Sequence, residues 1–228
     1  MAEIGVVLPV FNGEQHLRQA LDSIARQTHQ PTEVVAVDDG STDRSVAILE
    51  SFGARVLHSA RAGQAAARNV GVAAVRGHAV AFLDQDDVWK PTKLERQLAV
   101  LAADPELGFV GAHSSVFVDP GSERPAWWKP SWDEGGAEPS LLPSATLYRR
   151  TALELVGGFR GGADLTVCED VDWTARAQDL GVRRAVVPEV LVAKRVHGGN
   201  ASNDRSAVVA EQLAIARASI ARKRAAGA

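Results

Sequence analysis

Apolar positions in the first hundred residues follow two alternating patterns. Ile4–Val10 is an unbroken apolar run of the length that suits a buried strand. Leu17, Ala20, Leu21 and Ile24 then recur at helical spacing. Val34–Val37 predicts a second strand, Val46, Ile48 and Leu49 a helix, and Arg55-Val56-Leu57 a short third strand. An alanine-rich helix from Ala65 to Val75 leads into the strand Ala79–Leu83, and Leu94, Leu98 and Leu101 mark the helix that follows. Such alternation predicts an α/β fold: a mostly parallel central sheet flanked on both faces by helices.

The second half changes character. Gly108–Val118 predicts one or two strands, Leu141–Tyr148 resumes apolar structure, and a helix runs through Trp173 and Leu180. Val182–Val187 and Val190–Val196 read as strands, and Ser206–Arg224 as an amphipathic helix whose basic end satisfies its own dipole. Between them, Asp119–Pro139 is rich in Pro, Gly, Ser and charge and carries Trp127, Trp128 and Trp132. A loop of that length is functional or disordered, and the tryptophans favour a lid or a partner-binding surface. Packing onto the core is the expectation for at least one of the three.

Composition narrows the function classes. A chain of 228 residues suits one elaborated domain. The net charge of −3, with Lys and Arg interspersed, offers no basic stripe for nucleic acid. Cys168 is the only cysteine, which excludes an intramolecular disulfide and a cysteine metal cluster and favours a reducing cytoplasmic location. Met1-Ala2-Glu3-Ile4 lacks the basic region of a signal peptide, and no apolar stretch has the length of an integral membrane segment, so a soluble protein is expected.

The candidate chemistry is acidic. Asp84-Gln85-Asp86-Asp87 follows the strand Ala79–Leu83 directly. Carboxylates so close repel and raise one another's pKa, and a divalent cation relieves the conflict. Hard oxygen ligands suit Mg²⁺ or Mn²⁺, which commonly bind substrate phosphates as well. A second pair, Asp38-Asp39, ends the strand Val34–Val37 before the turn at Gly40 and a helix start at Ser41 or Thr42. Ligands of open α/β sheets bind beyond the carboxyl ends of the strands, so two acidic strand ends predict one site. Helix capping is the competing reading for one of Asp38 and Asp39, and it is the favoured reading for Asp87, whose other reading is a second metal ligand. For Glu169-Asp170 the competing reading is an acidic first helical turn. Trp89 reads as a packed side chain, and Arg68 either as a surface salt-bridge residue or as a contact to phosphate or an adjacent carboxylate.

Six motifs occur in order: Val7-Leu8-Pro9-Val10-Phe11-Asn12, Asp38-Asp39-Gly40-Ser41-Thr42-Asp43, Ala67-Arg68-Asn69-Val70-Gly71, Leu83-Asp84-Gln85-Asp86-Asp87, Val156-Gly157-Gly158-Phe159 and Glu169-Asp170. Together they resemble the family 2 glycosyltransferases of the GT-A fold, from Ile4 to about Ser202. The resemblance implies a single Rossmann-like domain with a smaller acceptor-side subregion. Residues 1–105 would form the nucleotide-sugar-binding half, 106–205 the acceptor-binding and catalytic half, and 206–228 a C-terminal helix.

It also implies roles. Pro9, Val10, Phe11, Asn12, Glu14, Asp38, Asp39, Arg68, Asp84 and Gln85 would bind the nucleotide-sugar. Pro9 and Phe11 would flank the base, Asp39 would accept its ring N–H, and Asp84 would contact the ribose. Asp86 and His197, the latter in Arg195-Val196-His197-Gly198-Gly199-Asn200, would hold Mn²⁺ or Mg²⁺ against the diphosphate. Asp170, with Glu169 beside it, would be the general base of an inverting transfer, UDP-sugars being the favoured donors. Acceptors range over saccharides, lipid-linked saccharides, peptides and small metabolites, and a homodimer is left open. No Gln-x-x-Arg-Trp segment is present, which argues against processive polymer synthesis. A nucleotidyltransferase is the first alternative, but Gly5 to Gly13 holds no glycine-rich basic phosphate loop. A non-catalytic nucleotide-sugar-binding module is the second, and it should have lost Asp86 or Asp170.

Overall fold

The computed structural model describes residues 3–162 and 165–226. Its strands are β1 (Ile4–Val10), β2 (Glu33–Asp38), β3 (Arg55–His58), β4 (Ala79–Phe82), β5 (Val88–Trp89), β6 (Leu107–Val118), β7 (Ala137–Ser140), β8 (Leu147–Arg149) and β9 (Arg183–Val196). The helices are α1 (Leu17–Ala25), α2 (Ser45–Phe52), α3 (Gln64–Ala74), α4 (Lys93–Ala103), α5 (Arg150–Val156), α6 (Glu169–Asp179) and α7 (Arg205–Ala226). One sheet runs in the order β3-β2-β1-β4-β8-β6-β9-β5, with β7 added beside β6. β3, β2, β1 and β4 are mutually parallel, as are β6 and β9, whereas β8 lies antiparallel between β4 and β6.

Every residue of β1 is buried because the sheet is covered on both faces. Ile4, Val6, Leu8 and Val10 pack with Leu17, Leu21 and Ile24 of α1 and Leu94 of α4. Val7 turns to the other face, with Val35, Val80, Phe82, Tyr148 and Trp173. This layering directs the carboxyl ends of β1, β2 and β4 toward one crevice.

Three elements differ from expectation. Asp119–Pro139 is not a plain loop: it contains a 3₁₀ turn at Pro130–Trp132, and its end enters β7, where Ala112 pairs with Ser140. The separate strands expected on either side of Pro188 are one strand. Its pairing with β6 jumps from Ala112↔Val187 to His113↔Val190, so Pro188, which lacks an N–H, sits in a bulge. Val88–Trp89 forms a two-residue strand on β9 before α4 begins. No helix among the described residues is long and apolar enough to cross a membrane.

Candidate active site

The loop after β1 is stitched to its neighbours before it meets any ligand. Asn12 adopts φ 48°, a left-handed conformation that Asn tolerates better than most residues. It donates its backbone N–H to Ser41 Oγ at 3.0 Å and accepts Thr42 N–H on Oδ1 at 2.8 Å. Glu14 accepts the backbone N–H of Arg44 at 3.0 Å. Gln85 clamps the loop from β4: its Oε1 accepts Phe11 N–H at 2.9 Å and its Nε2 donates to the Phe11 carbonyl at 3.0 Å. A Cβ at Gly13 would lie 2.5 Å from that amide oxygen, so the clamp depends on glycine there.

A cavity of about 540 Å³ opens at this edge, a volume suited to a ligand of cofactor size. Pro9, Val10, Phe11, Asp39, Arg68, Asp84, Gln85, Asp86, Glu169 and Asp170 all line it, whereas Asn12, Glu14, Asp38 and His197 are absent from its wall. Asp38 accepts Ser41 N–H at 3.1 Å and faces His58 Nδ1 at 3.3 Å, so it is the turn-holding member of its pair. Asp39 accepts Ala62 and Gly63 N–H, each at 2.8 Å, and so shapes the turn before α3 while still facing the cavity. Each of its oxygens keeps a further lone pair. The Arg61 guanidinium lies 4.6 Å from the Phe11 ring centroid.

Arg68 is only 2% exposed, so it makes no surface salt bridge but a buried one to carboxylates of the site. Its Nη2 donates to Asp84 Oδ1 at 2.8 Å and its Nη1 to Glu169 Oε1, tying α3 to the β4 loop and to the start of α6. Gln64 donates to the same Asp84 oxygen at 2.9 Å. Glu169 is therefore engaged. Burial raises its pKa, and the Arg68 charge opposes that rise. Asp170 is half-buried in the cavity wall, and its Oδ1 accepts the backbone N–H of Val171 at 2.8 Å. Burial raises its pKa too, again against the pull of Arg68, which makes it a stronger base than an ordinary aspartate.

Asp86 Oδ2 lies 2.9 Å from His197 Nε2 and accepts Asn200 Nδ2 at 3.2 Å. Among the described residues no three His, Cys, Asp or Glu side chains cluster as a metal cage. The donor set nonetheless fits Mg²⁺ or Mn²⁺, which take few protein ligands and complete their shell with phosphate oxygens and water. Gly199 N–H faces His197 Nδ1 at 3.1 Å, which assigns the imidazole proton to Nε2. Ligation through Nε2 therefore requires that proton to leave and the Gly199 contact to open.

Behind this pair stands a group that sequence reasoning missed. Arg195, buried in β9, donates its backbone N–H to Asp87 Oδ1 at 3.1 Å and its Nε to the Asp86 carbonyl at 2.9 Å. Its Nη atoms reach Asp119 and Gln19. Asp87 is accordingly no helix cap: α4 is preceded by Thr92, and Asp87 joins β5 to β9 instead. Burial, aided by Asp86 and Asp84, pushes its pKa up to about 7. Trp89 is packed as expected, donating Nε1 to the Ser144 carbonyl at 2.8 Å. Lys194 also lines the cavity unanticipated; the charged pair Lys194-Arg195 inside an apolar strand was the available signal.

Comparison with known proteins agrees with this architecture. The model for glycosyl transferase family 2 matches residues 5–157. An uncharacterised glycosyltransferase of Nostoc sp. is 29% identical over 243 residues, covering 96% of this chain and 72% of that protein. Another, from Rickettsia prowazekii, is 34% identical over 100 residues, 43% of this chain, and this match spans only 31% of its length. Among solved structures, a mannosyltransferase from Pyrobaculum calidifontis in complex with GDP-Man and Mn²⁺ superposes with TM-score 0.73 at 20% identity, covering 95% of this chain and 64% of that one. Glucosyl-3-phosphoglycerate synthase from Mycobacterium tuberculosis, in complex with Mn²⁺, UDP and phosphoglyceric acid, gives 0.67 at 23% identity, covering 94% and 78%. The fold is GT-A, and the chain belongs to glycosyl transferase family 2.

Proposed function

We propose that this chain transfers a glycosyl group, with inversion, from a nucleoside diphosphate sugar to an acceptor hydroxyl, UDP-sugars being the favoured donors. The reading rests on one convergence: Asp84, Asp86 and Asp170 line a single cavity at the carboxyl edge of the parallel strands, and His197 stands 2.9 Å from Asp86 just behind that wall. Residues 1–105 supply the donor side and 106–205 the acceptor side. Pro9, Val10 and Phe11 receive the base, which shares the Phe11 ring with the Arg61 guanidinium or displaces it. Asp39 accepts the base N–H with a spare lone pair, and Asp84, held by Arg68, meets the ribose.

Asp86 and His197 would hold the divalent cation, which when bound supplies Lewis-acid neutralisation of charge on the departing diphosphate. Relatives of the same fold carry Mn²⁺ with GDP-Man or with UDP, which supports a cation here. Asp170 takes the proton of the acceptor hydroxyl. The acceptor oxygen then bonds to the anomeric carbon as the bond to the diphosphate oxygen breaks, and the diphosphate departs with the electron pair. Glu169 is less suited to that task because Arg68 already occupies it. Attack from the face opposite the diphosphate gives inversion by the same logic that separates single from double displacement in glycosidases. A cytoplasmic location accords with the lone free thiol, Cys168.

The test is a panel of UDP-, GDP-, ADP- and dTDP-sugars, scored for binding and for slow hydrolysis with and without Mn²⁺. One donor class should bind in a Mn²⁺-dependent manner and release its nucleoside diphosphate. Failure of every donor to bind would overturn the proposal.

A further inference from the structure

Beside the main cavity lies a second, of about 230 Å³, and the two share Leu142, Lys194 and Ser202 in their walls. Its outer wall is Trp127 and Trp132 from the 119–139 segment, and Arg205 at the start of α7 closes one side. The two indole rings meet edge to face with centroids 5.9 Å apart. Both indole N–H groups are shielded from solvent and have no acceptor among the described residues. Buried donors are rarely left so, and two on one wall leave it short of oxygens.

The charge of this cavity is one-sided. Among the described residues Glu138 is the single carboxylate in its wall, and Lys129 Nζ already holds it at 2.6 Å. Lys194 and Arg205 have no ion-pair partner among the described residues. Lys194 stands between the cavities, and its charge acts on Asp170. A ligand here meets the indole side chains of Trp127 and Trp132 and the cationic side chains of Lys194 and Arg205. Flat apolar walls with convergent polar groups orient a small molecule, and Arg and Lys are the usual partners of phosphate and carboxylate.

We propose that the second cavity is the acceptor subsite and that it selects an acceptor carrying an anionic oxygen group, phosphate or carboxylate, on a saccharide ring. The proposal rests on the glycosyl-transfer reading and adds the substrate class. Lys194 and Arg205 grip the anion, the tryptophans cover the ring, and a hydroxyl of that ring is presented across the shared wall to Asp170.

The experiment titrates glucose 6-phosphate, glucuronate, glucose and inorganic phosphate into the full chain, followed by tryptophan fluorescence and calorimetry. UDP with Mn²⁺ is titrated separately. The anionic sugars should bind saturably and at least about tenfold more tightly than glucose or phosphate alone, and Arg205→Gln should weaken them by about tenfold. The ratio of glucose 6-phosphate to glucuronate affinity identifies which anion is preferred. Trp132→Phe, which keeps a ring and removes the N–H, should weaken them several-fold. Arg205 lines only the second cavity, so UDP affinity should survive Arg205→Gln unchanged. Equal affinity for glucose, an undiminished anionic-sugar affinity in Arg205→Gln, or phosphate alone binding as tightly (an adventitious anion site only) would each overturn the proposal. If the parent chain binds no nucleoside diphosphate, it is the glycosyl-transfer reading that fails. If UDP binds and the anionic sugars do not, only the acceptor assignment fails.

Discussion

Replacing Arg68 by Met tests the buried ionic floor of the cavity. Met retains the apolar stem and deletes the guanidinium, stranding Asp84 and Glu169 without their cation. Glu169 is 6% exposed and has no other side-chain partner among the described residues, so the loss is that of breaking a buried pair, about 3–5 kcal/mol. For a chain of this size each kcal/mol moves Tm by about 2–4 °C, so a fall of roughly 6–20 °C is expected. The pH dependence gives a sharper signature. Glu169 already has a folded-state pKa above its ordinary 4.5, and removing Arg68 raises it further. A carboxyl that holds its proton more tightly when folded contributes stability below its unfolded pKa, and that contribution is lost as pH rises through the folded value. The deficit of Arg68→Met relative to parent should therefore be large near neutrality and shrink toward pH 4.5. Adding Glu169→Gln to Arg68→Met should recover part of the loss near neutrality. Urea denaturation across that range, monitored by far-UV circular dichroism, supplies the measurement. A urea midpoint or a thermal-melt Tm near the parental value at neutral pH, or a deficit independent of pH, would refute the reasoning.

Asp86→Ala removes the carboxylate beside His197 Nε2, so the Mn²⁺ stimulation of UDP binding should fall by at least about tenfold in calorimetry; an undiminished stimulation would relocate the metal. The proposed base, Asp170, would act when deprotonated, and its pKa is raised by burial, so turnover should rise with pH along a limb lying above the ordinary aspartate value of 3.8. Lys93, fully buried with Gln97 Oε1 at 2.8 Å and the Trp89 ring at 4.3 Å, is pushed down to about 7 by desolvation. The unfolded chain holds that proton more tightly, so the parent gains stability as pH climbs from about 7 toward 10.5. Lys93→Met should thus be the more stable protein below about pH 7, and its advantage should decline over that window at no more than about 1.4 kcal/mol per pH unit. Paired thermal melts at acid and alkaline pH check this.

What the sequence made legible was what repeats or stands out locally. β1, β2 and β4 declare themselves as apolar runs because both faces of the sheet are covered, and the acids at their ends are neighbours in the chain. β7 was hidden because Pro139 and Glu138 read as loop residues, yet an edge position tolerates both. The break expected at Pro188 reflects a real local disruption, absorbed by a bulge that one strand alone cannot reveal. The network around Arg195 was beyond reach for a different reason. Its partners Asp119 and Gln19 lie 76 and 176 residues away, and only the sheet order brings them together. Division of labour within Glu169-Asp170 was equally invisible, since it depends on Arg68 of α3 reaching one carboxylate and leaving the other. Asp38 and Asp39 separate for the same kind of reason, through backbone donors in the turns that follow them.

The central claim is that Asp170 removes the acceptor proton while Glu169 supports Arg68. Its most direct test is single-turnover release of UDP from the best-bound donor by Asp170→Asn and by Glu169→Gln, each paired with UDP–Mn²⁺ calorimetry. Asp170→Asn should bind UDP as the parent does and lose about 10²- to 10⁴-fold in rate, the contribution of a positioned base. Glu169→Gln should lose stability and much less rate. Near-parental turnover by Asp170→Asn, with Glu169→Gln the slower of the two, would contradict the account.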